Sequence, residues 1–347
     1  MNPWVPEFPD ARLVDRLDLE SLPTGCVCRL LLEIAHGGMG QALRLPVLVA
    51  RGTRPGPVFG MTAAVHGNEL NGIPVIHDMF ARIDPSKLKG TLVGVAVINI
   101  PGFNNNERSF AGVDLNHQFP GDPQGRTPEV YAWRLVDRVI RHFDYLVDMH
   151  TASFGRINSL YVRADLGSAM AAKMARLQRP QIILDDPPSD RTLRGCADEL
   201  NIPAITVEIG NPQRFQSEFI RRSLAGMRAT LFEVGMLQKR KPPADLPEPV
   251  VCSRSSWCYT DHGGLLEVFP QVVQRVAKGE VIARLSNIFG DVVREYRAPY
   301  AGVVIGKSVN PVAETGARIV HLGVVAEDPA EAAAIKREVA ATTVEEE

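Results

Sequence analysis

The sequence predicts an α/β fold with a mostly parallel sheet, followed by a small all-β domain. Up to about residue 235, apolar runs of strand length alternate with segments whose apolar residues recur at helical spacing. This alternation is typical of a parallel sheet with helices on both faces. Beyond residue 250 the chain is rich in valine, glycine and turn signals, which indicates β structure alone.

The first strands form an N-terminal hairpin, because residues 26–52 contain two β-type runs around a glycine-rich turn. Next, "GPVFGMTAAVHG" predicts a buried strand that stops at His66, and "NELNGIPVIHDMFARI" predicts a helix. In "RTPEVYAWRLVDRVIRHF", Thr127 as N-cap and Pro128 as first helical residue predict another helix start. Further strands are predicted at 91–100, 144–150 and 203–210, and a further helix at 193–201.

The composition of the chain changes at residues 238–250. This stretch is rich in proline and positive charge, which predicts an exposed connector. We therefore place a catalytic-type α/β domain at 1–237 and a β-rich domain at 250–326. The tail beyond residue 326 has the composition of a helix that ends in an acidic stretch.

Four residues suited to metal and acid–base chemistry lie at or just after predicted strand ends: His66, Glu69, His150 and Glu208. The carboxyl ends of parallel strands meet at one edge of a sheet, where ligands bind. Two imidazoles and one carboxylate suit Zn²⁺ with a fourth position open to water. Glu208 can then accept the proton of that water, and Asp148 can orient His150 through its second ring nitrogen. Taken singly, however, each of these residues also fits a structural role.

Four motifs resemble those of the succinylglutamate desuccinylase/aspartoacylase family, within the zinc carboxypeptidase superfamily: "HGNELNG", "NNNERSFAGVDLNHQFPG", "DMHT" and "TVEIGNP". The resemblance covers roughly residues 60 to 235. It implies a carboxypeptidase-like α/β/α sandwich, with His66, Glu69 and His150 as zinc ligands and Glu208 as general acid/base. The region after residue 250 is similar to the barrel-sandwich hybrid, lipoyl-like appendage of this group. It has no Asp-Lys pair at a hairpin tip, so we expect a structural or lid role and not a lipoyl carrier.

The resemblance also assigns substrate contacts. Arg108 falls where the family has an arginine that stabilises the developing oxyanion, and Asn116 matches its substrate-binding asparagine. Where the family has Asp-Leu-Asn-Arg, this chain has histidine at position 117. Histidine cannot form the two-pronged contact by which arginine holds a carboxylate. The alternatives are a substrate without that carboxylate, a carboxylate held by another cation such as Arg156, or a His117 side chain that points away.

The leading functional hypothesis is a zinc-dependent amidohydrolase that removes an acyl group from a small acylated amino acid or amine. A metallocarboxypeptidase or a peptidoglycan-trimming amidase is a second hypothesis, and a non-catalytic zinc-containing binding protein is a third. The candidate base Glu208 argues against the third, because a closed structural site has no use for it.

The composition limits the classes of partner that we expect. The formal charge of -2 gives no reason to expect nucleic acid, and no apolar stretch reaches transmembrane length. The first twenty residues lack a basic stretch followed by an apolar core, and five scattered cysteines fit reduced thiols, so we expect a cytoplasmic protein. The sequence leaves the formation of a homo-oligomer open.

Overall fold

The computed structural model describes residues 4–5, 8–189, 191–238 and 247–325. These ranges form a mixed α/β fold with a large sheet and a small antiparallel sheet. The helices are α1 Gly72–Arg82, α2 Ile100–Asn105, α3 Thr127–Arg138, α4 Ala169–Leu177, α5 Leu193–Glu199 and α6 Ser217–Glu233. The strands before residue 237 are β1 Trp4–Val5, β2 Phe8–Val14, β3 Cys26–His36, β4 Ala42–Arg51, β5 Arg54–Ala63, β6 Lys89–Val95, β7 Tyr145–His150, β8 Arg156–Asn158, β9 Leu160–Ala164, β10 Ile182–Asp185 and β11 Ala204–Ile209. The later strands are β12 Val250–Tyr259, β13 Gly264–Val268, β14 Arg275–Val276, β15 Val281–Ser286, β16 Val292–Arg297, β17 Gly302–Ser308, β18 Val312–Ala313 and β19 Arg318–Val325.

The large sheet has the order β1-β2-β3-β4-β6-β5-β7-β11-β9-β10-β12-β19-β17-β14, and β8 pairs with β17. Its central run, β6-β5-β7-β11, is parallel, as the alternating pattern predicts. The predicted N-terminal hairpin is also present as β3 and β4. Because β5, β7 and β11 run in the same direction, their carboxyl ends lie at one edge of the sheet.

Helices cover both faces of the sheet. Val147 and Met149 of β7 pack into a buried cluster with α1, α4 and α6, whereas Leu146 packs into a second cluster with α3 and α5. Side chains alternate between the two faces of a strand, so the two clusters lie on opposite faces. The burial of both faces explains why these strands appear in the sequence as nearly continuous apolar runs.

The predicted start of α3 is wrong by one residue. The helix begins at Thr127, and Arg126 occupies the N-cap position. Glu129 stabilises this start because its Oε2 accepts a hydrogen bond from the backbone N–H of Arg126 at 2.8 Å. The Glu129 carboxylate thereby gives the free N–H of the N-cap residue an acceptor. The first helical residue is Thr127, one residue before Pro128.

The predicted β-rich region after residue 250 is divided between the two sheets. Strand β12 pairs in parallel with β10, so β12, β19, β17 and β14 continue the large sheet. The small sheet has the order β16-β15-β13-β18. The large sheet therefore continues from β10 of the α/β region into β12 and β19. No local sequence pattern indicates the pairing of β10 with β12.

Two sequence predictions fall partly or wholly outside the described residues: most of the connector at 238–250, and the helical tail beyond residue 326. Among the residues that the structure describes, no helix combines the length and apolarity needed to cross a membrane.

Candidate metal centre and active site

A cavity of about 260 Å³ lies at the carboxyl-terminal edge of the parallel strands. The lining includes the eight residues that the sequence nominates as metal ligands, catalytic residues or substrate contacts: His66, Glu69, Arg108, Asn116, His117, His150, Arg156 and Glu208. Residues that are far apart in the chain therefore meet where the strand ends predict that they should.

The loop between β5 and α1 carries His66 and Glu69. Gly67 permits its path, because a Cβ there would meet the backbone carbonyl carbon of Gly102 at 2.0 Å. Asn71, at the start of α1, fastens the loop to the neighbouring strand: its Nδ2 donates to the carbonyl of Ile209 at 2.7 Å. The loop is thereby held against the end of β11.

Three potential ligand atoms converge in the cavity. His66 Nδ1 lies 3.0 Å from Glu69 Oε1, and His150 Nδ1 lies 3.0 Å from Glu69 Oε2. The two Nδ1 atoms are 3.2 Å apart. All three side chains are buried. Within the described chain, these residues form the one cluster of histidine, cysteine or carboxylate groups arranged to hold a metal ion.

The outer ring nitrogens of both histidines face carboxylates. His150 Nε2 lies 2.7 Å from Asp148 Oδ2, the contact predicted from the sequence, and His66 Nε2 lies 2.9 Å from Asp114 Oδ1. Each carboxylate favours a proton on Nε2, which leaves the Nδ1 lone pair directed inward. Donors that share one zinc ion at about 2.0–2.2 Å lie roughly 3–3.5 Å from each other. The donor set and its spacing therefore fit a divalent metal such as zinc.

The carboxylate of Glu69 is fixed by hydrogen bonds as well. It accepts hydrogen bonds from the backbone N–H of Thr151 at 3.1 Å and from Ser153 Oγ at 2.5 Å. Burial alone would raise the pKa of Glu69, but the charges and hydrogen bonds of His66 and His150 hold it well below the ordinary range. Glu69 is therefore held ionised in a fixed orientation, as a metal ligand must be.

Arg108 lies beside this cluster, with 39% of its side chain exposed. Its Nε and Nη2 donate to Asp114 Oδ2 at 3.1 and 2.7 Å, and its Nη1 donates to Glu69 Oε1 at 3.0 Å. Asp114 thus connects Arg108 to His66, a role that sequence reasoning missed although the residue lies inside a quoted motif. The guanidinium is held in place with part of its surface facing the cavity.

Glu208 faces the cavity from the neighbouring strand, since it is the register partner of His150 between β11 and β7. Its Oε2 accepts a hydrogen bond from Asn158 Nδ2 at 3.2 Å, and its Oε1 lies 3.8 Å from Arg163 Nε. Burial raises the pKa of Glu208, the negative charge of Glu69 raises it further, and His150 opposes the shift. Glu208 is therefore a carboxylate outside the metal cluster, with a pKa moved toward the range useful for proton transfer.

The three candidate substrate residues differ in how they are held. Asn116 Oδ1 accepts a hydrogen bond from the backbone N–H of Leu193 at 2.9 Å, which fixes its amide at the start of α5. His117 is 65% exposed, and its Nε2 lies 3.9 Å from Asp114 Oδ2. Arg156 stacks on Trp257, with its guanidinium carbon 5.9 Å from the ring centroid. His117 is nevertheless among the residues that border the cavity.

Other cavity residues escaped sequence reasoning. Asp186 pairs with Arg163 at 3.1 Å and with Arg194 at 2.6 Å. The β-rich region contributes Trp257, Arg318 and His321. No periodicity or motif distinguishes Trp257, Arg318 and His321 in the sequence, because their position depends on the pairing of β12 with β10.

Residues 55–234 match the sequence profile of the succinylglutamate desuccinylase/aspartoacylase catalytic domain. The chain is also 23% identical over 279 residues to an N-alpha-acetyl-L-2,4-diaminobutyric acid deacetylase of Halomonas elongata. That alignment covers 77% of this chain and 81% of the relative.

Solved structures have the same fold. The product-bound ectoine utilization protein EutE (DoeB) of Ruegeria pomeroyi superposes with a TM-score of 0.80 at 22% identity, covering 88% of this chain and 98% of that one. A succinylglutamate desuccinylase/aspartoacylase structure from Rhodobacter sphaeroides also gives 0.80, at 20% identity, over 91% and 100% of the two chains. At these identities the likeness concerns the fold.

Proposed function

The chain belongs to the succinylglutamate desuccinylase/aspartoacylase family, and on that premise we propose that it is a zinc-dependent hydrolase of small N-acylated amino acids or amines. The reaction cleaves a linear amide C–N bond with water and yields a carboxylate and an amine. Zinc, this reaction and the roles of individual residues are all part of the proposal.

One observation carries the proposal: the cavity combines a buried His-Glu-His cluster with a separate carboxylate that the cluster does not use. A purely structural metal site is closed and has no need of such a neighbour. Here Glu208 lies beside His150 in register and faces the same space. A metal position next to a free proton acceptor is the arrangement expected of metal-assisted hydrolysis.

His66 and His150 would hold zinc through Nδ1, and Glu69 through its carboxylate. Zinc at this position supplies Lewis acidity, which lowers the pKa of water and polarises a carbonyl. Asp114 and Asp148 keep the two imidazoles in the tautomer that presents Nδ1.

Glu208 acts as general base and then as general acid. Its carboxylate accepts a proton from the attacking water, and the oxygen of that water bonds to the acyl carbon. The same proton then passes to the amide nitrogen as the C–N bond breaks, so the amine leaves as a neutral group. The raised pKa of Glu208 favours the first step, because it makes the carboxylate a stronger base toward the attacking water.

Arg108 stabilises the negative charge that develops on the carbonyl oxygen. Its guanidinium is fixed by Asp114 and Glu69 before substrate arrives, so the charge meets donors that need little reorganisation. Asn116 and His117 border the same cavity and contact the substrate there.

The size of the cavity supports small substrates. About 260 Å³ suits an acylated amino acid better than a polypeptide, and the relative from Halomonas elongata is named for an N-acetylated diamino acid. The peptidase hypothesis has no comparable support in the described cavity. Cytoplasmic location and the oligomeric state stay predictions from the sequence.

The test is a turnover screen of the zinc-loaded protein. The substrates are N-acetyl-L-aspartate, N-succinyl-L-glutamate and Nα-acetyl-L-2,4-diaminobutyrate, with short peptides as competitors. We expect release of the amine from at least one acylated amino acid and none from the peptides. Glu208→Gln should lower kcat by about 10²–10⁴-fold while zinc content stays near one per chain.

The matched control is Glu199→Gln, an exposed carboxylate at the end of α5 that should leave turnover unchanged. Cleavage of peptides alone would overturn the deacylase assignment, and full activity of Glu208→Gln would remove Glu208 from the mechanism.

A further inference from the structure

The charges around the cavity are unbalanced. Five arginines line it: Arg108, Arg156, Arg163, Arg194 and Arg318. Three of these have carboxylate partners, since Arg108 pairs with Asp114 and Glu69, and Asp186 is shared by Arg163 and Arg194. Among the described residues, no carboxylate pairs with the other two.

Those two arginines share an aromatic neighbour. The guanidinium carbons of Arg156 and Arg318 lie 5.9 and 5.3 Å from the ring centroid of Trp257. Such contacts hold a guanidinium in place without neutralising its charge or using its N–H donors. His321 stacks on the Trp257 ring at 4.9 Å with the planes 10° apart, which fixes the orientation of the indole.

The arrangement depends on the β-rich region. Trp257 and His321 are register partners of β12 and β19, and Arg318 begins β19. Arg156 begins β8, which pairs with β17 of the same region. The pairing of these strands therefore brings a residue of the catalytic-type region and three residues of the β-rich region to one wall of the cavity.

This wall carries two positive charges without an ion-pair partner among the described residues, although the charges of Glu69 and Glu208 also act on Arg156. Burial, followed by the charges of Arg318 and Arg108, lowers the pKa of Arg156. Burial, followed by the charges of Arg163, Arg318 and Arg156, holds the pKa of His321 well below its ordinary range. Arg156 is half-buried, whereas Arg318 is exposed. A half-buried guanidinium without an ion-pair partner is costly, so a ligand that supplies an anion gains binding energy at Arg156.

We propose that Arg156 and Arg318, positioned by Trp257, bind the α-carboxylate of the acylated amino acid. This inference rests on the proposed function, which supplies the substrate class. Carboxylates match the planar donor fork of arginine, and the α-carboxylate is the one anionic group that every N-acyl amino acid carries. These two arginines would then hold the carboxylate that His117, which has no guanidinium, cannot hold with a two-pronged contact.

The experiment measures binding in the Glu208→Gln background, where substrate is held without turnover. The probes are N-acetyl-L-aspartate, N-succinyl-L-glutamate and Nα-acetyl-L-2,4-diaminobutyrate, each compared with its α-carboxamide by calorimetry. We expect the acid of the best-bound pair to bind more tightly than its amide. Arg318→Ala and Arg156→Ala should each weaken binding of the acid by roughly 10-fold or more and leave the amide within about two-fold.

Arg294→Ala is the matched control, because Arg294 lies in β16 of the same region, pairs with Asp261 and does not line the cavity. It should not change the preference. Trp257→Phe should retain more of the preference than Trp257→Leu, since an aromatic face still orders the guanidiniums.

Equal binding of acid and amide, or a preference that survives both arginine substitutions, would overturn the proposal. If the native protein hydrolyses no acylated amino acid, yet the acid preference is present and is lost in Arg318→Ala, the carboxylate site stands and the proposed reaction fails. Hydrolysis without an arginine-dependent preference would support the reaction and remove the carboxylate site.

Discussion

Two walls of one cavity differ in how their charges are satisfied. On the metal-binding wall, the outer nitrogens of His66 and His150 face Asp114 and Asp148, and Glu69 accepts several hydrogen bonds. On the wall that the β-rich region helps to form, Arg156 and Arg318 lie over the Trp257 ring, and no described carboxylate pairs with either.

On our proposal, the difference separates groups that hold a permanent cofactor from groups that bind the substrate. Ligands of a metal must be preorganised, so the protein supplies their partners. Groups that recognise a substrate must keep donors free until the substrate supplies the acceptor. Substitutions on each wall should therefore have different consequences for turnover, substrate preference and stability.

Apart from Glu208→Gln, the largest effect is expected for Arg108→Ala. Loss of the guanidinium removes oxyanion stabilisation and should lower kcat by about 10²–10³-fold, with zinc content unchanged. Steady-state kinetics together with metal analysis measure both quantities. Arg108→Lys keeps a charge without the double contact to Asp114 and should recover only part of the rate. A change in unfolding temperature with normal kcat would instead make Arg108 a structural residue.

A smaller effect is expected for His117→Arg, which restores the family residue. The new guanidinium would lie near Asp114, which is 3.9 Å from His117 Nε2 in the native protein. Part of its charge is then neutralised, so the preference for a free acid over its amide should rise by about 1 kcal/mol, or roughly five-fold in kcat/KM. A gain above about 100-fold would place the substrate carboxylate at position 117 and contradict the arginine wall.

The smallest effect concerns His321 and pH. Its folded-state pKa lies well below the unfolded value because it is buried among positive charges. The unfolded chain therefore binds a proton that the folded chain does not, and this contribution to stability is lost as pH falls through the unfolded pKa of about 6.5. His321→Gln should lose less unfolding free energy between pH 7 and pH 5 than the native protein does, as denaturant titrations at both pH values can show. An equal loss would contradict the buried, neutral state of His321.

The sequence predicted that His66, Glu69, His150 and Glu208 come together, but it did not predict the wall around Trp257. His150 and Glu208 end neighbouring strands, and the apolar runs before them are strong local signals that also determine which sheet edge they reach. Trp257 and Arg318 reach the cavity through the pairing of β12 with β10 and β19, a long-range contact with no local pattern. Strand existence was thus predictable, whereas strand order was not.

The start of α3 likewise depends on a contact that the local sequence preference does not predict. Thr127 is a good N-cap by residue type, yet the helix starts one residue earlier because Glu129 accepts a hydrogen bond from the backbone of Arg126. Intrinsic preference located the helix, and one side-chain contact set its first residue.

The assignment of His66, Glu69 and His150 as ligands of one catalytic zinc ion is tested most directly by reconstitution. The protein is stripped with a chelator, and activity on the acylated substrate found in the screen is followed as Zn²⁺ is added. We predict no activity without metal, a linear recovery that saturates at one equivalent per chain, and no recovery in His150→Ala. Full activity of the stripped protein, or normal recovery in His150→Ala, would contradict the assignment.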